Sequence, residues 1–579
     1  MLGRRKEDIR TFKDVVRERA FVLIEESLGR SLKDEEKILT FTPDISWGDY
    51  AFPCFPIARE KGKEANAVAN ELVETINGRL TKEGIIEKAE AKGPFVNFYI
   101  RSITNKVLEE IDKRGKAYGM KKEGGKKILF EFSQPNTHKE FHVGHVRGTV
   151  LGQALANLFR ELGNTVYAVN YQGDTGSHVS KVLWALESFH KDDPEPKDRA
   201  SYLGKIYVEA TQALAMNRSL EKNVFEVEER FFKGDRALKR IWKKTRSWSI
   251  EEFEEIYREL GVVFEKNYYE SNMEKPGIKL VRKLIDKGIA EKSDGAIIVN
   301  LQKYNLDILV VLKSGGIPLY ATKDLALALK KKKDFKKVDE SIVQTDARQT
   351  LYFKQLFKIF ELIGIKTALT HLTYEMVTLP SGTMSSRTGN IVTYSFLRDE
   401  LIKRVKEETI KRHKEWDEEK VLNVARALAL ATIKFEMMKT DSGKVITFDM
   451  EKALSFDGFT ASYLLYTLAR IESVIKKSGR KITGNGKEHL LSSPEERLLV
   501  RFLAEYPDVI INASAVKNPA LLVNYLYETA KAFTAFYHAK KILEEDGDVR
   551  DARLKLIGGV KLVMEKGLCV LGIPTVGEM

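Results

Sequence analysis

Between Ile128 and Val169 the spacing of apolar positions changes twice. Ile128–Phe132 is a short, mostly apolar run of the kind a buried strand makes. Ser133-Gln134-Pro135-Asn136 breaks that pattern. Apolar residues return at Val143, Val146, Val150, Leu151, Leu155, Leu158, Phe159 and Leu162, mostly three or four apart, which predicts a helix. Gly163-Asn164 supplies its stop, and Thr165–Val169 reads as the next strand. The unit is βαβ, a parallel pair joined by a right-handed crossover.

On either side the pattern changes again. Lys6–Leu39 reads as mainly helical and heavily charged, Asn66–Ile76 as a helix and Gly93–Ile100 as a strand. Together they predict a small α/β domain over residues 1–115. Gly115–Lys127, with four glycines and five lysines, reads as a linker. Residues 116–395 form the parallel-sheet region, interrupted at Glu187–Leu260 by charged helical sequence without recognisable chemistry. That insertion reads as a solvated helical face. The sheet pattern resumes at Gly295–Asn300 and Leu306–Leu312, and Gly316–Leu325 reads as a turn, a strand and a helix start. Residues 396–579 are helical almost throughout, with a capping box at Ser493-Pro494-Glu495-Glu496. In the helix Ala461–Lys477, one stripe is apolar (Ala461, Leu464, Leu465, Leu468, Ile471, Ile475). Tyr463, Tyr466, Arg470 and Lys477 project from the other side, which suits base stacking with phosphate contact and equally suits a solvated face.

Composition narrows the class. A chain of 579 residues holds about three domains, and 43% hydrophobic with 31% charged residues is ordinary for a soluble protein. The N-terminus has no apolar core of a signal peptide, and no run approaches a membrane span. Two cysteines exclude a disulfide framework and suit a cytoplasmic location. A net charge of +13 favours a polyanionic partner.

Three of the nine histidines, His138, His142 and His145, fall where the first predicted strand turns into its helix. Open parallel sheets bind ligands at the carboxyl ends of their strands, and a helix N-terminus favours anions. Gly144 would let a nucleotide approach the backbone, and imidazoles can donate to phosphate. The same residues also suit an ordinary polar first turn. The spacing of His142 and His145, without a glutamate base, differs from the HExxH zinc motif. Cys54 and Cys569 lie too far apart to form a ligand knuckle, so no metal site is expected.

His142-Val143-Gly144-His145 resembles the HIGH signature of class I aminoacyl-tRNA synthetases. The longer block from Glu131 to His145 is similar to that of arginyl-tRNA synthetases, with a Ser-x-Pro-Asn turn and a lysine before the motif. The loop Asn170–Gly176 fits as well. Met384-Ser385-Ser386-Arg387 resembles the KMSKS loop, with Thr383 and Ser386 standing at its two lysine positions. By itself that stretch also reads as any flexible polar loop. Trp47–Tyr50 and Gly93–Ile100 resemble the family's additional N-terminal domain, which touches the tRNA elbow. Ile446–Tyr466 and Leu526–Met579 resemble its DALR-type anticodon-binding domain.

The resemblance implies an α/β fold: a Rossmann-like class I catalytic domain, a small N-terminal α/β domain and an all-α C-terminal bundle. It implies ATP-dependent activation of L-arginine and transfer to tRNA(Arg). ATP would be held by His142, Gly144, His145, Met384, Ser385, Ser386 and Arg387, with Mg²⁺ on its phosphates. His142, His145, Lys139 and Arg387 would be catalytic, Lys139 standing in for the absent loop lysines. A guanidinium calls for planar acceptors. Carried over residue by residue, Glu131, Ser133, Asn136, Tyr320, Asp324 and Gln349 form the arginine pocket, with Gln344 the neighbouring alternative to Gln349. Alone, Asp324 also suits a helix cap and Tyr320 a core position. Tyr463, Tyr466, Arg470, Tyr537 and Met579 are the expected tRNA contacts, and the enzyme is expected to be a monomer that activates arginine only with tRNA bound. Two rival readings are an inactive RNA-binding paralogue, which the missing loop lysines would suit, and a small adenylyltransferase, which would have no use for either flanking domain. A cysteinyl synthetase would need a zinc-binding cysteine set that the chain lacks.

Overall fold

A computed structural model describes residues 11–120, 125–380, 382–383, 392–455, 457–480, 487–545 and 547–578. The expected ATP contacts Met384, Ser385, Ser386 and Arg387, and the expected tRNA contact Met579, lie outside the described residues.

The N-terminal domain is an antiparallel sheet of β1 (Thr40–Phe41), β2 (Tyr50–Pro53), β3 (Ile86–Lys92) and β4 (Phe95–Ile100), in the order β1-β2-β4-β3. Helices Phe12–Leu28 and Ala65–Asn77 cover it, and Val16, Leu23, Phe52, Val68, Leu72 and Phe98 fill the space between. The first helix is shorter than its charge pattern predicts, because Gly29 takes a left-handed conformation (φ 70°) at its C-cap. Of the aromatics in this domain, Tyr50 is fully buried, whereas Trp47 is exposed.

The stretch read as a linker is anchored. Tyr118 is buried, stacks on Tyr506 and donates its hydroxyl to the Leu503 carbonyl at 2.8 Å. A Cβ on Gly119 would fall 2.5 Å from the Tyr506 ring, so the chain passes there only as glycine.

The central sheet is parallel. It is built from β5 (Lys127–Glu131), β6 (Thr165–Gln172) and β7 (Lys266–Tyr269), and further on β11 (Glu340–Asp346) and β12 (Ala368–Tyr374). Between them, β8 (Glu291–Ser293), β9 (Ala296–Val299) and β10 (Leu309–Leu312) form a separate three-stranded antiparallel sheet. The second stretch of strand pattern therefore pairs with itself. Asp294 and Gly295 both have positive φ, the two-residue turn that folds β8 back on β9 as a hairpin. The parallel sheet runs β12-β11-β5-β6-β7, so its strand order reverses between β5 and β11. Ligands bind at such a switch point, beyond the carboxyl ends of the strands.

Helix Val143–Glu161 follows β5 and is buried along most of its length. Beyond β12 come β13 (Val377–Leu379), β14 (Gly382–Thr383) and β15 (Ile446–Thr447), with β13 parallel to β15. The C-terminal region is a bundle whose helix Pro494–Ala515 starts at the Ser493 capping box. Its side chains Leu464, Leu503 and Val560 belong to one apolar core with Phe130, Val146 and Leu155 of the sheet region.

Candidate active site

The turn after β5 is strained. Ser133 (φ 79°), Gln134 (φ 53°) and His138 (φ 62°) all take left-handed conformations that L-residues rarely adopt, and such strain clusters where function over-determines the backbone. Opposing hydrogen bonds hold it in place. Thr137 N–H donates to the Gly173 carbonyl at 2.9 Å, and Gly173 N–H donates to the Pro135 carbonyl at 3.1 Å. The chains cross so closely that a Cβ on Gly173 would lie 2.2 Å from Asn136 Oδ1.

His142 is the N-cap of helix Val143–Glu161, with its Nδ1 accepting from Gly144 N–H at 3.1 Å. His145 Nδ1 accepts from His142 N–H at 3.3 Å, and the two rings stack with centroids 3.8 Å apart. Since each Nδ1 is an acceptor, each neutral ring carries its proton on Nε2. Burial, with Lys139 and Arg348 nearby, pushes His142 down to about 4, and burial next to His142 holds His145 well below the usual range. The pair therefore presents two neutral N–H donors, and positive charge comes from Lys139 and Arg348. Gly144 lets the His142 ring fold back over the helix start, where a Cβ would meet it at 3.0 Å.

His138, the third of the cluster, faces elsewhere. It is fully buried: its Nδ1 lies 2.9 Å from Thr137 Oγ1 and its Nε2 2.8 Å from Thr245 Oγ1, one ring nitrogen donating and the other accepting, while its backbone N–H donates to Ser249 Oγ at 2.9 Å. Thr245 and Ser249 sit on helix Arg236–Glu259, within the stretch read as a solvated insertion. That helix supports the site. Tyr257 bonds Ser133 Oγ at 2.8 Å and accepts from Asn170 at 3.1 Å, and Arg246 Nε donates to buried Asp174 at 2.6 Å. Its pattern concealed this because the polar residues facing the sheet are small hydroxyls set among lysines and glutamates.

One cavity of about 1810 Å³ collects Glu131, Ser133, Asn136, Lys139, His142, Gly144, His145, Tyr320, Asp324 and Gln349. The Ser133 hydroxyl is already engaged by Thr149 and Tyr257. Lys139 Nζ lies 4.6 Å from the Tyr207 ring centroid. Asp324 lies beyond the first turn of helix Tyr320–Asp334, whose N-cap is Leu319, so its carboxylate caps nothing. It accepts instead from the Tyr352 hydroxyl, and burial pushes it up to about 6. Tyr320 is 54% exposed and forms part of the cavity wall rather than the core. Gln349 faces the cavity, whereas Gln344 is buried with its Nε2 donating to the Gly148 carbonyl at 2.9 Å.

The carboxylates come with partners that sequence reasoning missed. Lys331 Nζ lies 2.6 Å from Glu131 Oε2, and Gln134 Nε2 donates to Oε1 at 2.6 Å. Buried Glu270 pairs with Lys323, and burial pushes it up to about 7. Two of these four charges are cationic, so Glu131 and Glu270 are neutralised, whereas Asp324 has no ion pair among the described residues. Lys331 sits two turns beyond Asp324 on one helix face, the only sequence signal that it belongs here.

On the bundle, the Arg470 guanidinium lies 4.7 Å from the Tyr466 ring centroid and 4.9 Å from that of Tyr537, and both rings are partly exposed. Tyr463 departs from this face: half-buried, it packs on Tyr527 and donates to Thr534 at 3.1 Å.

The catalytic-domain model of class I (R) tRNA synthetases matches residues 107–450. The arginyl tRNA synthetase N terminal domain matches 12–100, and the DALR anticodon binding domain matches 464–579. An arginine–tRNA ligase of Halothermothrix orenii is 34% identical over 556 residues, 95% of this chain and 97% of that one. The chain belongs to the arginyl-tRNA synthetases. A Bdellovibrio bacteriovorus relative of the same family is 34% identical over 98% of this chain and 99% of its own. The arginyl-tRNA synthetase structures of Thermus thermophilus (TM-score 0.79, 24% identity, 97% of this chain and 100% of that one) and Plasmodium falciparum (0.77, 21%, 97% and 99%) share the fold. The family's reaction is arginine–tRNA ligation, and the flanking domains exclude the small adenylyltransferase reading.

Proposed function

We propose that the cavity at the β5–β11 switch point carries out both steps of arginine ligation on residues brought there by the strained turn. The observation that supports this most directly is the juxtaposition, in one cavity, of two Nε2–H imidazoles and Lys139 with the Asp324 carboxylate, which has no ion pair among the described residues. Asp324 takes the guanidinium of arginine, with Tyr320 as the wall and Glu131 held by Lys331 beside it. Asn136 and Gln349 hold the amino-acid head group. The arginine carboxylate then attacks the α-phosphate of ATP, forming a mixed anhydride, and pyrophosphate leaves.

As the α-phosphate becomes pentavalent, its extra negative charge meets the His142 and His145 N–H dipoles and the Lys139 ammonium. Arg387 shares that role. In the second step the terminal 2′-hydroxyl of tRNA attacks the arginyl carbonyl and AMP leaves. Tyr466, Arg470 and Tyr537 contact the tRNA through ring faces and charge. Among the described residues no group of three or more His, Cys, Asp or Glu is placed to hold a metal ion. Magnesium enters with ATP as part of the substrate. The enzyme works as a cytoplasmic monomer; among the described residues no helix is long and apolar enough to cross a membrane.

Arginine-dependent ATP–pyrophosphate exchange, run with and without unfractionated tRNA and with other amino acids as controls, tests the proposal. Exchange with arginine alone, and only when tRNA is present, is the expected result. No exchange with tRNA still bound would point to the inactive RNA-binding paralogue.

A further inference from the structure

Arg147 is fully buried one turn into the helix that begins at His142. Among the described residues its guanidinium meets backbone carbonyls alone. Nη1 donates to Glu375 O at 2.6 Å and Met376 O at 3.1 Å. Nη2 donates to Lys444 O at 2.8 Å, Ser442 O at 3.3 Å and Asp441 O at 3.4 Å. Three stretches of chain thus converge on one side chain: the histidine helix, the segment leaving β12 and the turn before β15. The last two are also joined directly, by Glu375 N–H to Ser442 O at 2.9 Å and Ile446 N–H to Met376 O at 3.2 Å. The next helix residue, Gly148, packs so close to Tyr374 that a Cβ would lie 2.5 Å from its hydroxyl.

Glu375, Met376 and Val377 line the same cavity as His142 and Gly144, on the side of β11 and β12. Glu131, Tyr171 and Glu270 mark the other side, at the ends of β5, β6 and β7, where the guanidinium goes. ATP with its phosphates at the helix start therefore has its nucleoside against Glu375–Val377. A planar fork spanning two segments at once sets their spacing in a way that a single ammonium does not.

We propose that Arg147 is a positioning residue for ATP, holding the Glu375–Val377 wall at a set distance from His142 and His145. It touches no reacting atom and acts through the backbone it clasps. The inference rests on the reading of this cavity as the site of arginine activation.

Arg147→Lys in the full-length enzyme tests it, because lysine keeps the charge and loses the fork. The expected result is a rise in KM for ATP of about tenfold or more in pyrophosphate exchange, with KM for arginine changed less than about twofold. ATP binding by calorimetry weakens in parallel. Equal changes in both KM values, or a lower melting temperature with neither KM moved, would show a fold tie only and overturn the proposal. Calorimetry separates this inference from the reading beneath it. A wild-type protein that binds ATP without exchanging it, and binds it more weakly as Arg147→Lys, would sink the proposed activity and keep the positioning role. Arg147→Met, which takes a donor from five carbonyls and leaves those of Glu375 and Lys444 with none among the described residues, should lose ATP binding further wherever it folds.

Discussion

Asp324→Asn should make the enzyme more stable while removing its grip on arginine. Burial raises the Asp324 carboxyl from 3.8 to about 6, which disfavours its charged form in the folded, substrate-free state. That rise of about two pH units corresponds to about 3 kcal/mol at roughly 1.4 kcal/mol per unit. Because the folded state holds the proton more tightly, this penalty is absent below pH 4, develops between about 4 and 6, and is carried in full above 6. Asparagine keeps the volume and the oxygen that accepts from Tyr352 but never ionises. Thermal melts of both proteins, without ligand, at pH 8 and near pH 4.5 read the difference directly. The variant should melt a few degrees higher at pH 8, and the gain should shrink at acid pH, where wild-type Asp324 is already neutral. In pyrophosphate exchange the variant's KM for arginine should rise at least about a hundredfold, as for a charged partner lost from a desolvated pair. Equal stability differences at the two pH values, or a variant less stable at pH 8, would refute the electrostatic account. A variant with unchanged KM for arginine would remove Asp324 from the pocket.

Acid should affect the two substrates differently. KM for arginine should rise as pH falls through about 6, where Asp324 takes up its proton, whereas KM for ATP should show no histidine inflection there, because His142 titrates only near 4. Lys139→Ala should slow adenylate formation far more than it weakens tRNA binding, and equal losses in both assays would contradict its role. Arg470→Ala and Tyr466→Ala should each weaken tRNA binding by about 1–3 kcal/mol in filter binding, with only the former lowering the salt dependence. An unchanged dissociation constant would leave their cluster as surface packing. Thr245→Val, which strands a buried nitrogen of His138, should cost about 1–3 kcal/mol in denaturant melts. A neutral result would mean that the insertion helix does not brace the turn.

Elements governed by local periodicity were legible in the chain. The strand, helix and strand around His142 appear where their apolar spacing places them, as does the capping box at Ser493. The clustering of histidines at a strand end pointed to the cavity, and the family block supplied the acidic positions. Ambiguities that single residues left open were settled by packing: Asp324 caps no helix, Tyr320 is exposed, and Tyr463 turns into a helix seam. The pattern misled where a run's partner could not be inferred from spacing. The segment Gly295–Leu312 has strand periodicity, yet β9 pairs with β10 and, through the Asp294–Gly295 turn, with β8 instead of extending the parallel sheet.

Taken alone, the sequence located the strand, helix and strand around His142, the start of the helix that carries His142 and His145, and the family. All of these rest on side chains near one another along the chain, where spacing and capping act. Tertiary structure alone decided which charges remain available. Lys331 meets Glu131 across 200 positions, Lys323 meets Glu270 across 53, and Arg147 reaches Glu375 across 228. Those pairings follow from burial: a charge taken out of water must find a partner wherever the packed elements bring one. No local pattern encodes that requirement, and it separates Glu131 and Glu270, which are paired, from Asp324, which has no ion pair among the described residues.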